Sequence, residues 1–192
     1  MKTLFNLTAK LFFILLLTSA FNVNAQTKTS NPATFAIGLE GGGITGNMSP
    51  YYSVELGATA RLQYKAGDHV ALIFSGGYYN LFGKNFVVNY SSPGFSETVA
   101  GKSENLGIVP LKAGLKFFGS SGIYFSAEAG AGFETRQRFE SDGQMHSDVK
   151  LLLAPALGYA PKNIDMSIRY ENLSGQANNY GIVAFRIAFD IH

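Results

Sequence analysis

His146, Ser147 and Asp148 stand together in the run Met145-His146-Ser147-Asp148. Histidine, serine and an acid are the residue types of a hydrolytic triad, in which a base activates a hydroxyl nucleophile. Three neighbours in one segment do not assemble that device, because nucleophile, base and orienting acid must converge from separate parts of a fold. The other histidines, His69 and His192, fall at a short turn and at the chain end. A polar loop is the reading for 145–148, and no catalytic residue is expected. Gly41-Gly42-Gly43 has the look of a phosphate loop, but no Gly-Lys-Ser/Thr follows and no helix is expected after it. Glu140, Asp142 and Asp148 carry calcium-type oxygens without the ordered ligand spacing of a calcium loop. The chain has no cysteine, so disulfides and thiolate metal sites are excluded. No cofactor or metal is implied.

A second set of charged residues is arranged by a different rule. Glu40, Glu55, Arg61, Lys112, Glu128, Arg169 and Arg186 all fall on the polar side of segments that alternate with period two, the periodicity of a half-buried strand. In 52–65 all 14 positions fit: Tyr52, Val54, Leu56, Ala58, Ala60, Leu62 and Tyr64 take one face, and Ser53, Glu55, Gly57, Thr59, Arg61, Gln63 and Lys65 the other. Segments 123–134, 164–171 and 183–191 repeat the pattern, and 34–44, 69–80, 106–117 and 151–160 follow it more loosely. The total is eight strands. Pro110 and Pro155 interrupt two of them. Proline removes a ladder hydrogen bond, so each is expected to mark a bulge or a strand end.

The polar face is mostly Gly, Ala, Ser and Thr with one or two charges per strand, which suits the narrow interior of an eight-stranded barrel. The other face is continuous, apolar and tipped with aromatics. Tyr52 and Tyr64 lie 12 residues apart, about 30 Å along a strand tilted in a bilayer. Phe35, Phe117, Tyr159 and Phe189 are expected to join Tyr64 in one girdle, and Tyr78, Phe133 and Tyr170 to join Tyr52 in the other. Connections at 66–68, 118–122 and 161–163 are short. Those at 81–105 and 136–149 are long, 172–180 is intermediate, and 45–51 is short. Short turns on one rim and longer loops on the other are the pattern of outer-membrane barrels, with the turns and both termini in the periplasm.

The start of the chain supports export. Lys2 and Lys10 precede and flank the apolar run Leu11-Phe12-Phe13-Ile14-Leu15-Leu16-Leu17, and Val23-Asn24-Ala25 supplies the small residues that signal peptidase reads. That run is too short for the roughly 20 residues of a spanning helix. Residues 1–25 are therefore expected to be a signal peptide, 26–33 a polar lead-in and 34–192 the barrel. Without Lys2 and Lys10, the 15 Lys and Arg fall to 13, matching the 13 Asp and Glu. That balance excludes the basic excess of a nucleic-acid binder.

The signal ending in Asn24-Ala25-Gln26, the segment Val109-Pro110-Leu111-Lys112-Ala113-Gly114-Leu115-Lys116-Phe117 and the closing strand resemble small outer-membrane β-barrel proteins of the Bacteroidota type, which share the architecture of eight-stranded OmpA/OmpX-like barrels. The resemblance implies an all-β antiparallel transmembrane barrel in the cell outer membrane, with membrane lipid around it and the barrel assembly machinery as partner during biogenesis. It implies no activity. Such barrels usually end on an aromatic residue, whereas this chain ends Phe189-Asp190-Ile191-His192.

The function expected from these observations is non-enzymatic, structural or surface-interacting, with the seven charges plugging the lumen as ion pairs. A narrow pore is the alternative and a lipid-modifying enzyme using His146 and Ser147 the third. Glu128 with Lys112, on adjacent strands, is the expected pair, and Glu40 is expected to reach Arg186 or Arg169. Expression of the precursor should yield a mature chain whose mass begins at Gln26; retention of residues 1–25 in the membrane-inserted protein would overturn the export reading.

Overall fold

The computed structural model describes residues 33–92, 95–139, 145–175 and 179–191. Residues 1–25 and nearly all of the lead-in lie outside them. The described strands are β1 (Ala33–Gly46), β2 (Tyr52–Lys65), β3 (Val70–Gly83), β4 (Asn85–Ser92), β5 (Phe95–Lys102), β6 (Leu106–Phe118), β7 (Ile123–Phe139), β8 (Met145–Tyr159), β9 (Ile164–Ser174) and β10 (Tyr180–Ile191). Eight of them close into an antiparallel barrel in the order β1-β10-β9-β8-β7-β6-β3-β2, while β4 and β5 pair only with each other. Closure is made by β1 against β10, with Phe35 opposite Ile191 and Gly46 opposite Tyr180.

The barrel wears its apolar side outward. Ile37, Leu56, Phe74, Phe125, Leu157, Ile168 and Phe185 are all exposed, while Arg61, Lys112, Glu128, Arg169 and Arg186 are buried inside. A soluble protein reverses this arrangement. Strand alternation produces it, since one face of every strand must point to the lumen. On the inner face of the β6–β7 pair, Gly114 and Gly130 make a close approach possible: a Cβ on either would strike a backbone carbonyl, of Ala127 and Leu111 respectively.

Several expectations change. The long connection at 81–105 contains the β4–β5 hairpin. Most of 136–149 is strand, because β7 runs on to Phe139 and β8 begins at Met145, with a register shift between Phe133 and Gln137. Neither proline marks a bulge or an end. Pro155 pairs with Ala127 in the β7–β8 ladder, but the β8–β9 ladder skips from Leu153–Asn172 to Ala156–Arg169 without a change of register. Pro110 pairs with Gly132 of β7 in the same way, while the β3–β6 ladder skips from Gly76–Leu111 to Tyr79–Ile108. A strand residue aims its N–H and C=O at one neighbour only, so each proline costs one ladder and leaves the other whole. Tyr52 is also misplaced by simple alternation. A bulge between Tyr52 and Glu55 adds a residue to β2 and turns Tyr52 inward against the core. The other girdle aromatics, Phe35, Tyr64, Phe117, Tyr159 and Phe189 toward the short turns and Tyr78, Phe133 and Tyr170 toward the longer connections, are exposed on the outer wall.

The closing strand gives a test of the faces. Ile187 lies opposite Leu39 and Met166, well inside β10, and Ile191 lies opposite Phe35 at its end. A charge near the bilayer midplane costs about 2–4 kcal/mol and close to the interface about 0–1 kcal/mol. Ile187→Arg should therefore lower the folded fraction, read as the heat-modifiable gel band, much more than Ile191→Arg; equal yields would show that this face does not meet lipid.

Candidate functional site

The lumen holds three layers. Toward the long-connection rim the inner wall is apolar, where Ile44, Leu81, Leu106, Ile108, Leu152, Leu173, Tyr180 and Ile182 form one buried cluster and Met48, from the β1–β2 turn, joins it. At the opposite end Tyr124 and Phe118 approach at a ring-centroid separation of 6.1 Å. Lys116 Nζ lies over both rings, 3.8 Å from the Tyr124 centroid and 5.0 Å from that of Phe118. Between these ends lies a network of charges.

The network has two groups. In the first, Arg169 Nη1 is 3.1 Å from both Glu40 Oε2 and Glu171 Oε1. Lys112 Nζ donates to Glu171 and, at 2.8 Å, to the Tyr79 hydroxyl, which itself donates to Glu171 at 3.1 Å. In the second, Arg61 bridges Glu128 at 3.1 Å and Asp165 at 3.4 Å. Ser75 donates to Glu128, Lys116 to Asp165 at 2.6 Å, and Tyr124 to Asp165. Arg186 donates through Nε to Thr59 at 2.9 Å, and its Nη1 is 4.0 Å from Asp165 Oδ1. Nearer the long-connection rim, Tyr180 donates to Glu134 at 2.9 Å and Lys150 to Asp148 at 3.0 Å.

Among the described residues the buried acids are Glu40, Glu55, Glu128, Glu134, Asp165 and Glu171, and the buried bases are Arg61, Lys112, Lys116, Lys150, Arg169 and Arg186. Six oppose six, so the interior carries no formal excess charge. That balance matters because an uncompensated charge in a low-dielectric interior costs several kcal/mol. Glu55 is the loosest member. It is 1% exposed, and neither carboxylate oxygen has a hydrogen-bond partner.

All seven charges singled out from the sequence face the lumen and are buried; Glu40 reaches Arg169, one of its two expected partners, whereas the expected Glu128–Lys112 pair does not form. Lys112 bridges Glu171 and not Glu128; Glu128 bridges Arg61 across the lumen. Adjacent strands put Lys112 opposite Gly130 and Glu128 opposite Gly114, so their side chains leave the wall at different heights and each meets a partner from farther round. Glu40 meets Arg169, and although Arg186 is its direct ladder partner, the acid nearest Arg186 is Asp165. Sequence reasoning omitted Lys116, Asp165 and Glu171 from the cluster, although alternation placed all three on the inner face. It also missed the apolar layer, for which Ile108 and Leu152 on the nominally polar face were the signal.

The triad candidates are not brought together. His146 and Ser147 lie at the start of β8, opposite Arg138 and Gln137, so they remain neighbours on one strand. Asp148 binds Lys150. Glu140 and Asp142 lie outside the described residues. Gly41, Gly42 and Gly43 are interior to β1. No group of three or more potential metal ligands occurs among the described residues.

A closed eight-stranded barrel that is apolar outside and ion-paired inside is built for a bilayer, and its strands, not helices, make the crossing. The fold is that of a small outer-membrane β-barrel. Solved structures of Ail, the attachment invasion locus protein of Yersinia pestis, share it. The crystal structure of Ail with the heparin analogue sucrose octasulfate has a TM-score of 0.53 at 16% identity, covering 83% of this chain and 97% of that one. A second Ail crystal structure also gives 0.53, at 14% identity over 85% and 100%. Ail in a phospholipid nanodisc gives 0.50 at 15% identity over 83% and 99%. No protein-family model matches the chain, and no curated protein matches it by sequence.

Removing Glu128 leaves Arg61 short of a carboxylate, and breaking a buried pair costs about 3 kcal/mol in a dry site, less with lumen water. Glu128→Ala should lower the thermal midpoint, and adding Arg61→Ala should recover part of the loss. Glu128→Ala with Lys112→Ala should be close to additive; a strong coupling there and none with Arg61 would refute the pairing described.

Proposed function

We propose that this protein is a non-enzymatic outer-membrane barrel whose lumen is a structural plug and whose working surface is the long-connection rim, exposed outside the cell. The observation that carries the reading is the filled lumen. A pore needs a continuous wet path, and here the charge network lies between a buried apolar cluster and the Tyr124–Phe118–Lys116 end. Eight strands leave room for side chains but little for a channel. With the interior committed to stability, interaction falls to the parts that leave the membrane, the β4–β5 hairpin and the ends of β7 and β8. The Ail barrels of the same fold are named for attachment, which favours a surface role over a catalytic one. Membrane lipid surrounds the outer wall, and the assembly machinery reads the closing strand, with Phe185, Ile187, Phe189 and Ile191 on its lipid side.

The purified mature protein, folded into planar bilayers, should show no steady conductance above that of lipid alone. Steady, ion-selective current through the wild-type protein would overturn the plug and install the narrow pore in its place.

A further inference from the structure

The β4–β5 hairpin is an unusual appendage. Asn85 pairs with Lys102 and Ser92 with Phe95, so both strands are paired along their whole length, yet they form a sheet of two strands. Only Lys84 separates β3 from β4, and Lys84 N–H donates to Tyr51 C=O at 2.9 Å at the barrel rim. Neither strand contacts a barrel strand to an extent comparable with its contact to the other. The hairpin therefore runs away from the rim. A lone two-stranded hairpin is marginal in water and gains much from a third strand.

The edge of β4 lacks the devices that proteins use to block edge pairing. Asn85-Phe86-Val87-Val88-Asn89-Tyr90-Ser91-Ser92 contains no charge, no proline and no glycine, and the ladder has no register shift. High β propensity with zero charge is also the composition of segments that pair with their own copies. Two residues separate Ser92 from Phe95, so the ladder closes on a hydrogen-bonded pair there. Counting back, Ser92, Tyr90, Val88 and Phe86 turn their N–H and C=O toward β5. Asn85, Val87, Asn89 and Ser91 turn theirs to the open edge.

From this edge, and resting on the surface-interaction reading above, we propose that β4 is a homophilic docking strand: it pairs antiparallel with β4 of a second copy of this chain. Matching open-edge residues about Val88 sets Val87 against Asn89 of the second copy and Asn85 against Ser91, and the two-fold repeats both pairs. All four outward residues are then used, and two hairpins become one four-stranded sheet. The geometry also fixes where the second copy sits. Two barrels in one membrane are related by rotation about the membrane normal, which cannot reverse the rise of β4 along that normal. Antiparallel pairing requires barrels that point toward each other, in two facing membranes. The interaction is thus adhesion between surfaces that carry the same protein.

The test uses the full mature protein folded into phosphatidylcholine/phosphatidylglycerol vesicles, with the long-connection rim shown to be outward by protease cleavage within 85–102. Wild-type vesicles should cluster, at least tenfold in scattering over protein-free vesicles. Val87→Pro removes an N–H that points to the open edge and leaves the β4–β5 bonds intact; it should abolish clustering while the heat-modifiable band persists. The two-fold sets position 88 against its own copy, so Val88→Lys vesicles and Val88→Glu vesicles should each stay dispersed, and mixing the two should restore clustering. Dispersed wild-type vesicles, clustering that survives Val87→Pro, or a Lys and Glu mixture no better than either alone would each overturn the proposal. Conductance measured on the same preparation separates the two readings: dispersed but non-conducting protein removes homophilic pairing alone, whereas a conducting barrel removes the plug beneath it.

Discussion

A backbone amide inside hydrocarbon has no water to bond, and every N–H and C=O must find a partner in the protein. Closing the sheet is the solution that this chain adopts, and most of its other features follow from it. Closure of β1 on β10 removes both edges of the barrel. It also divides each strand into a face that meets lipid and a face that meets only the lumen. The apolar exterior lowers the cost of being in the membrane, and the interior takes the charged side chains of the strand middles, such as Arg61, Glu128 and Arg169.

Those interior charges are held by one another. No single pair accounts for the arrangement. Arg169 serves both Glu40 and Glu171, Arg61 serves both Glu128 and Asp165, and Asp165 in turn receives Lys116 and Tyr124. Sharing of this kind offsets desolvation better than isolated pairs, because Arg61, Arg169, Asp165 and Glu171 each keep a partner when another moves. The apolar layer above the network and the aromatic end below it limit access by water, which strengthens the electrostatics between them.

The same logic explains why the prolines are tolerated. Pro110 and Pro155 both lie on strands that flank β7, and each keeps its ladder to β7 while interrupting the one on its far side. From Tyr124 to Phe133, β7 is therefore bonded without a break to both β6 and β8. Outside the membrane the constraint disappears, since water satisfies an open edge, and among the described residues edges are left open there, on β4, on β5 and on the ends of β7 and β8 that run past their ladders to β6 and β9.

The barrel, its strand count and its inside-out polarity are legible in the sequence because period-two alternation is a local property: Glu55 and Arg61 fall on the opposite face from Leu56 and Leu62 whatever the rest of the chain does. Lys116, Asp165 and Glu171 were legible in the same way, since alternation alone puts them inside. Which charge meets which was not. The partners of Arg61 lie 67 and 104 residues away, and their meeting depends on strand order, shear and side-chain height, none of which alternation encodes. Tyr52 turned inward because one extra residue in a bulge reverses every face beyond it, and the hairpin in 85–102 emerged where the loop length showed only that space existed. Local chemistry sets what each residue must face; only the closed barrel decides what it finds there.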